Sequence, residues 1–481
     1  MSLPSPGLIY HHQKNDNNPS KNQKLGKPTM LFATMCKNEE HCIGATIGAV
    51  VDYVDYLIVC DTGSTDATRD IVIQIMKDNN LPGELWLDEW KGFDINKTLM
   101  FTRLYKKTDY ILHLDADDIL KGDFNFTQAD VGSDLYSVEL KRGTSTWKSP
   151  VIYNNKIRWK WVGSAHTMIR SPDKPNCSIK DLGDRPFYID AEGLGSRAFD
   201  PKKYFYDAEK LSKQFFETLV NDPDGLNTRS CFYCAQSYLD YGMKREAAQW
   251  YKLYTKLEKD TWIEETFEAH KRIARCFMNF PEKTVEEVVE QMEKAMQIFP
   301  DRAEPIAELG QFLNQKGKHE LAYKYLRRGI DLSLENAKKK YQLFVHPGCY
   351  GKYLYDEFSV ACFWTGRGVE GYKYFMKIFD DPEFAVHRKR FEANRQYFLS
   401  KYPEILKNDS GSDEVVAEEV VKNNDGDEKI IIAATKGVEP LVVSEDKVEE
   451  EVVENVEDKR VEEKEKPKVK VLNQYNFKVL S

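Results

Sequence analysis

The sequence predicts an α/β domain on a largely parallel sheet, then an all-α domain of helical repeats, then a charged tail. Three observations carry this reading. Between residues 29 and 118, four short apolar runs alternate with amphipathic stretches, the rhythm of a parallel sheet with helices on both faces. From about residue 200, strand-like runs give way to small and aromatic residues at helical-repeat spacing. From about residue 403 the chain is mostly Glu, Lys, Val, Asp and Asn, too poor in large apolar side chains to order itself. The expected boundaries are a disordered segment 1–27, an α/β domain 28–199, a helical domain 200–402 and a disordered tail 403–481.

The first strand is expected over 29–35 (TMLFATM), leaving through the polar turn Cys36, Lys37, Asn38, Glu39 and Glu40. Ile43, Ile47, Val50, Val51 and Val54 then fall on one helical face. A second strand, 56–60, runs into Asp61, Thr62, Gly63, Ser64, Thr65 and Asp66. Gly63 permits a tight turn there, and Ser64 or Thr65 can cap the next helix. That helix turns Ile71, Val72 and Ile75 inward. A third strand follows at 84–87 and a helix from Phe93 to about Lys107. Beyond Asp118 a strand is expected at 135–140. Runs at 151–153 and 157–161 flank Asn154 and Asn155, a hairpin signal. A last strand-like stretch ends near 188–192, so a mixed extension of the sheet should cover what lies at its rim.

The chemistry centres on residues 109–118, DYILHLDADD. An apolar strand stops abruptly on Asp115, Ala116, Asp117 and Asp118. Three carboxylates at a strand end repel one another unless water or a cation compensates them. All-oxygen ligands suit Mg2+ or Mn2+, and open α/β sheets bind ligands outside the carboxyl ends of their strands. The residues thus point to a metal-assisted site for a phosphate-bearing substrate, against the plainer alternative of an acidic turn.

In the helical part, Ala235, Tyr238, Ala247 and Tyr251 repeat their offsets as Gly310, Leu313, Ala322 and Leu326. Ala295 and Pro300 fit a repeat end, and Ala361 and Trp364 a looser copy. Small residues let antiparallel helices approach and large ones fill the gaps between units. The nine cysteines are scattered, and the single CxxC, Cys231 and Cys234, lies within a helix. These read as buried thiols of a reducing compartment. A net charge of −9 argues against a nucleic-acid binder. No apolar run reaches the roughly 18 residues of a membrane span. The polar start lacks a secretory h-region, so a cytoplasmic, non-secreted protein is expected.

Four blocks, in order and at fitting intervals, resemble the family 2 glycosyltransferases and their nucleotide-diphospho-sugar fold, GT-A. They are the turn from Met35 to Glu40 with its Asn-Glu pair, the turn from Asp61 to Asp66, the block 93–97, and the DxD of Asp115, Ala116 and Asp117. The likeness is good over 29–123 and looser to Arg197. The helical part, through residues 232–238 and 363–366, looks like the tetratricopeptide region attached to some of these enzymes. Such two-part chains occur in bacteria and large DNA viruses, which would place a viral member in the host cytoplasm.

The resemblance implies roles. Asp61 would meet the nucleotide base, or else merely cap its turn, with Cys36, Asn38 and Glu40 lining the same pocket. Asp115 would hold the ribose or the metal shell, and Asp117 would ligate Mn2+ or Mg2+. Lys97 would neutralise phosphate, or be a solvated helix lysine. His166 follows a glycine where relatives place Gly-x-x-His-Glu, with Thr167 in place of the glutamate. It is either a metal ligand or a structural histidine. Inverting transfer needs a general base. Asp118, Asp190 and Glu192 are candidates, with Glu192 or Asp190 favoured because their segment should close over the acceptor. Trp159 and Trp161 would stack on a sugar or pack in the core. The expected function is metal-dependent transfer from a nucleotide sugar, UDP- or GDP-linked, to a protein or glycan acceptor held by the helical repeats. The alternative is a helical-repeat scaffold on a silent domain. A sugar-phosphate nucleotidyltransferase fits less well, because the first turn has no glycine and is acidic.

Overall fold

The structure is a computed structural model that describes residues 7–14, 20–143, 145–191, 193–257 and 261–409. The expected tail lies outside the described residues from position 410, and so does Glu192. The first half holds strands β1 (Gly7–His12), β2 (Met30–Cys36), β3 (Tyr56–Asp61), β4 (Gly83–Leu87), β5 (Tyr110–His113), β6 (Ile119–Gly122), β7 (Leu135–Arg142), β8 (Ser145–Asn154), β9 (Lys160–Val162), β10 (Met168–Arg170), β11 (Ile179–Asp181) and β12 (Phe187–Asp190). Among them lie helices α1 (Lys21–Lys24), α2 (Ile43–Val50), α3 (Thr68–Asp78) and α4 (Phe93–Leu104).

The main sheet runs β1-β4-β3-β2-β5-β8-β7-β12-β6, with β11 on β7. Strands β4, β3, β2 and β5 are parallel, as the alternation predicts. Leu31, Phe32 and Ala33 of β2 are fully buried between two strands and two layers. Cys36 pairs in register with Asp61, and Ala33 with His113. The exits of β2, β3 and β5 therefore reach one rim together.

Two expectations for this half are corrected. Residues 7–14 and 20–27 are not disordered throughout. Strand β1 pairs antiparallel with β4 and covers that edge, and Asn22 donates its backbone N–H and Nδ2 to the buried Asp55 carboxylate at 2.9 and 2.8 Å. A buried carboxylate needs such donors, and a polar segment supplies them. The Asn154–Asn155 hairpin also does not form. Asn155 is buried and donates Nδ2 to Leu104 O at 2.8 Å, which turns the chain out of the sheet. Neither asparagine has the positive φ of a tight hairpin turn. Strand β9 pairs instead with β10.

The second half is helical: α5 (Lys203–Glu217), α6 (Asn227–Asp240), α7 (Lys244–Tyr254), α8 (Ile263–Phe277), α9 (Val285–Ile298), α10 (Glu304–Gln315), α11 (His319–Gly329), α12 (Leu334–Lys340), α13 (Lys352–Trp364), α14 (Gly368–Met376), α15 (Arg388–Lys401) and α16 (Glu404–Asp409). Ala235, Ala247, Tyr251, Leu313, Ala322 and Leu326 are buried in one continuous core. A Cβ on Gly310 would meet Leu326 Cδ2 at 2.3 Å, the close approach that the repeat spacing anticipates. Trp364 instead stays 58% exposed and stacks on His319. Order also runs past residue 402, because Ile405 of α16 is buried beside Tyr402 and Phe398. Cys231 and Cys234 are buried free thiols that donate to the Trp250 and Ala208 carbonyls, as expected of structural cysteines. Among the described residues, no helix is long and apolar enough to cross a membrane.

Candidate active site

The site is built where strands β2, β3 and β5 end. Asp61 is fully buried, and its Oδ1 accepts from the backbone N–H groups of Gly63 and Ser64, both at 2.9 Å. This is the turn-capping arrangement. Its Oδ2 accepts from the Cys36 thiol, at 3.9 Å, and Arg69 Nε stands 3.8 Å from its Oδ1. Burial, and then the Asp61 charge, push that thiol's pKa well above its ordinary value. The turns after β2 and β3 are zipped together. Asn38 N donates to Ser64 Oγ and Thr65 N to Asn38 Oδ1, both at 2.8 Å, while Ala67 N donates to Glu40 Oε2 at 2.8 Å. The side chains of Asn38 and Glu40 therefore hold one loop to the other rather than standing free in a pocket. Asn38 takes the left-handed backbone (φ 56°) that this junction requires.

Beyond β5, Asp115 is 63% exposed, with Lys97 Nζ 2.9 Å from its Oδ1. Lys97 foremost holds the Asp115 carboxyl down to about 2. The lysine is itself buried and lies 4.8 Å from the Trp161 ring centroid, so it is not a solvated helix lysine. Asp118 shows the opposite response. Burial, and then repulsion from Asp115 and Asp117, push it up to about 8. Asp190 on β12 pairs in register with Ile119, the residue after Asp118, and so lies at the same rim.

A strap over residues 193–200 crosses this rim. Gly195 N donates to Asp117 Oδ2 at 2.7 Å, and Ser196 N and Oγ donate to Glu39 Oε2 and Oε1 at 2.9 and 3.1 Å. Leu194 O accepts from His41 Nε2 at 2.7 Å. Arg142 donates Nε to Ala191 O, and Arg197 pairs with Asp207. Lys203 lies half-buried near them, and burial, and then the Arg197 charge, lower its pKa. Cations thus border the acidic rim on the side of the helical domain.

His166 does not join the aspartates. The loop 163–167 between β9 and β10 docks on the helical domain. The His166 ring stacks on Tyr233 at 4.3 Å, its carbonyl accepts from Arg229 at 2.9 and 3.1 Å, and Ser164 N donates to Gln214 Oε1. Burial, and then the charges of Arg229, Arg197 and Lys203, push the His166 pKa down to about 3. Surrounded by cations, it is a docking residue. The expected set of Asp115, Asp117 and His166 is not assembled as one group. Among the described residues, only Glu39, His41 and Cys42 bring three such ligand atoms within 4.8 Å of one another. Trp159 and Trp161 pack in the core with Phe101 and Tyr153, the commoner fate of tryptophan.

Sequence reasoning missed Arg142, Arg197, Lys203 and the strap. No spacing announces them, because tertiary contacts alone bring them together near the acidic rim. The glycines of the strap were the one available signal. A Cβ on Gly195 would come within 3.0 Å of Asp117 Oδ2, and one on Gly193 within 3.2 Å of Arg142 Nη2.

With this geometry in place, comparison with known proteins adds a family. Residues 32–126 match the family model described as Glycosyl transferase family 2. No curated protein matches the sequence. Solved structures similar to the chain include S. aureus TarS 1-349, at 15% identity and TM-score 0.27 over 57% of this chain and 89% of that one. MamA is 18% identical at TM-score 0.27, over 40% and 95% of the two chains. The TPR-like repeats of a Podosopora anserina putative kinesin light chain are 16% identical at TM-score 0.28, over 40% and 89%. TM-scores this low carry no argument about function. The loop motifs and the family match agree on one segment: residues 32–126 are similar to glycosyl transferase family 2, and the same chain continues into a region of paired helices.

Proposed function

We propose that the chain is a metal-dependent inverting glycosyltransferase that moves a sugar from a UDP- or GDP-linked donor to a hydroxyl of a protein or glycan acceptor. One observation carries this reading: Asp115, Asp117 and Asp118 crowd the sheet's carboxyl rim, where burial, and then repulsion from the other two carboxylates, push Asp118 up to about 8. A donor set of clustered carboxylate oxygens fits Mn2+ or Mg2+, and Asp115 and Asp117 would hold the ion. When bound, the ion would supply Lewis-acid neutralisation of the departing nucleoside diphosphate. Lys97 keeps Asp115 ionised for that task. Asp61 would offer the base its Oδ2, the oxygen that the turn amides leave to the Cys36 thiol. Asp190 is the general base among the described residues and takes the proton of the attacking acceptor hydroxyl. Arg142 and Lys203, on the helical-domain side, attract the negative charge of the substrate. The helical region contains clefts of 440 and 400 Å³, the second lined by Leu239 beside Gln236, Asp240, Lys244, Arg272, Arg275 and Asn279, a mixed apolar and charged wall that suits an acceptor.

The full burial of Asp61 favours a second reading, a scaffold on a silent domain. A thermal-shift panel of nucleoside diphosphates and nucleotide sugars, with and without Mn2+, separates the two. A ligand that binds the folded state at about 100 times its Kd stabilises it by about 2.7 kcal/mol. A rise in melting temperature for one nucleotide, only with Mn2+, is the expected result. No rise for any nucleotide would leave the scaffold.

A further inference from the structure

The turn after β2 carries a group that the transfer reaction does not use. We propose that Glu39, His41 and Cys42 form a second metal site, suited to Zn2+ and separate from the aspartates. Cys42 Sγ lies 3.3 Å and His41 Nε2 3.9 Å from Glu39 Oε2, and all three ligand atoms fall within 4.8 Å. Around a tetrahedral zinc ion with bonds of about 2.0–2.3 Å, ligand atoms stand roughly 3.3–3.8 Å apart. The atoms are therefore nearly in place. One sulfur, one imidazole nitrogen and one carboxylate favour Zn2+ over the hard ions that suit Asp115 and Asp117.

The backbone is fixed as well. Glu39 N donates to Thr68 Oγ1 at 2.8 Å and Ile43 N to Glu39 O at 2.8 Å, so residues 39–42 form one closed turn at the start of α2. Glu39 and Cys42 are buried while the His41 side chain is 40% exposed, which leaves an entry path for an ion. Asp66 and Asp117 add negative charge near the Cys42 thiol, a field that favours a cation.

The same atoms hold the strap. His41 Nε2–H donates to Leu194 O, and Glu39 accepts both bonds from Ser196. Ligation requires the thiol to lose its proton to solvent and the imidazole proton to move from Nε2 to Nδ1. Zn2+ and the strap therefore compete. Metal binding releases Leu194 and Ser196 and leaves Gly195 on Asp117.

Titrating the full chain with Co2+, a spectroscopic stand-in for zinc, tests this without any activity assay. Wild type and Asp117→Ala are expected to develop a near-ultraviolet thiolate-to-cobalt band, and Cys42→Ser to lack it. His41→Ala, a change at a partly exposed side chain, should weaken Zn2+ binding in equilibrium dialysis by about 10-fold or more. A circular-dichroism melt checks that each variant is folded. A band that persists in Cys42→Ser, that is missing from wild type, or that is lost in Asp117→Ala would overturn the site. Amide exchange at Ser196 that does not speed up on Zn2+ saturation would overturn the competition with the strap.

Discussion

Lys97 Nζ stands 2.9 Å from Asp115 Oδ1 and 4.8 Å from the Trp161 ring centroid, held between a carboxylate and an aromatic face. The buried ammonium therefore fixes the ionisation of the first aspartate of the DxD. Lys97→Met keeps the aliphatic stem and removes the charge. A charge-assisted hydrogen bond is worth about 1.5–3 kcal/mol, so kcat/KM for sugar transfer should fall about 10- to 100-fold. Steady-state kinetics with saturating Mn2+ measures this, and an unchanged value would remove Lys97 from the site.

Asp117→Ala should abolish metal-dependent donor hydrolysis and transfer while hardly affecting the fold. Its hydrogen bond with Gly195 N is a single contact at a partly exposed position, worth about 1 kcal/mol. Urea unfolding beside an activity assay separates the effects, and full activity in a folded variant would exclude the metal role.

In α8, Glu268 is buried between Lys271 Nζ at 3.0 Å and Arg272 Nε at 2.6 Å. Burial raises its pKa, but Lys271, Arg272 and Arg275 more than reverse this and hold the carboxyl far below the usual range. A depressed folded-state pKa contributes stability that is complete above the unfolded value, about 4.3, and is lost as pH falls below it toward the folded pKa. Glu268→Gln strands two buried cations and should cost about 3–5 kcal/mol at pH 7. It should also flatten the loss of stability between pH 5 and pH 3. Denaturant midpoints across that window are the measurement, and equal slopes in the two proteins would contradict the assignment.

Two glycine-to-alanine changes should act in opposite directions. Gly310→Ala drives a methyl into Leu326 and should cost about 1–3 kcal/mol. Gly48→Ala, on the exposed side of α2 with nothing within 4 Å, should gain about 0.5–1 kcal/mol. Thermal unfolding of both variants tests whether α10 and α11 pack as a repeat pair.

The parallel core was legible because burial leaves its mark in local sequence. The β2 run is apolar since it lies between two strands and two layers, and α2 shows its inner face at helical spacing. The repeat positions Ala235, Gly310 and Leu326 were legible for the same reason, since helix approach restricts side-chain size at fixed offsets. The Asn154–Asn155 turn misled because its asparagine amide serves a distant carbonyl rather than a local bend. His166 misled because its loop meets the helical domain, a contact that no local pattern records.

What the sequence determined by itself was periodicity: which segments are strands, which are helices, and that Cys36, Asp61 and the aspartates leave neighbouring strands at one end. The tertiary structure alone decided the company those residues keep. It put Gly195 on Asp117, cations around His166, and Glu39, His41 and Cys42 within reach of a single ion. Hydrophobic burial is written into residue spacing, whereas charge pairing joins side chains of any separation once the core has fixed where each loop ends.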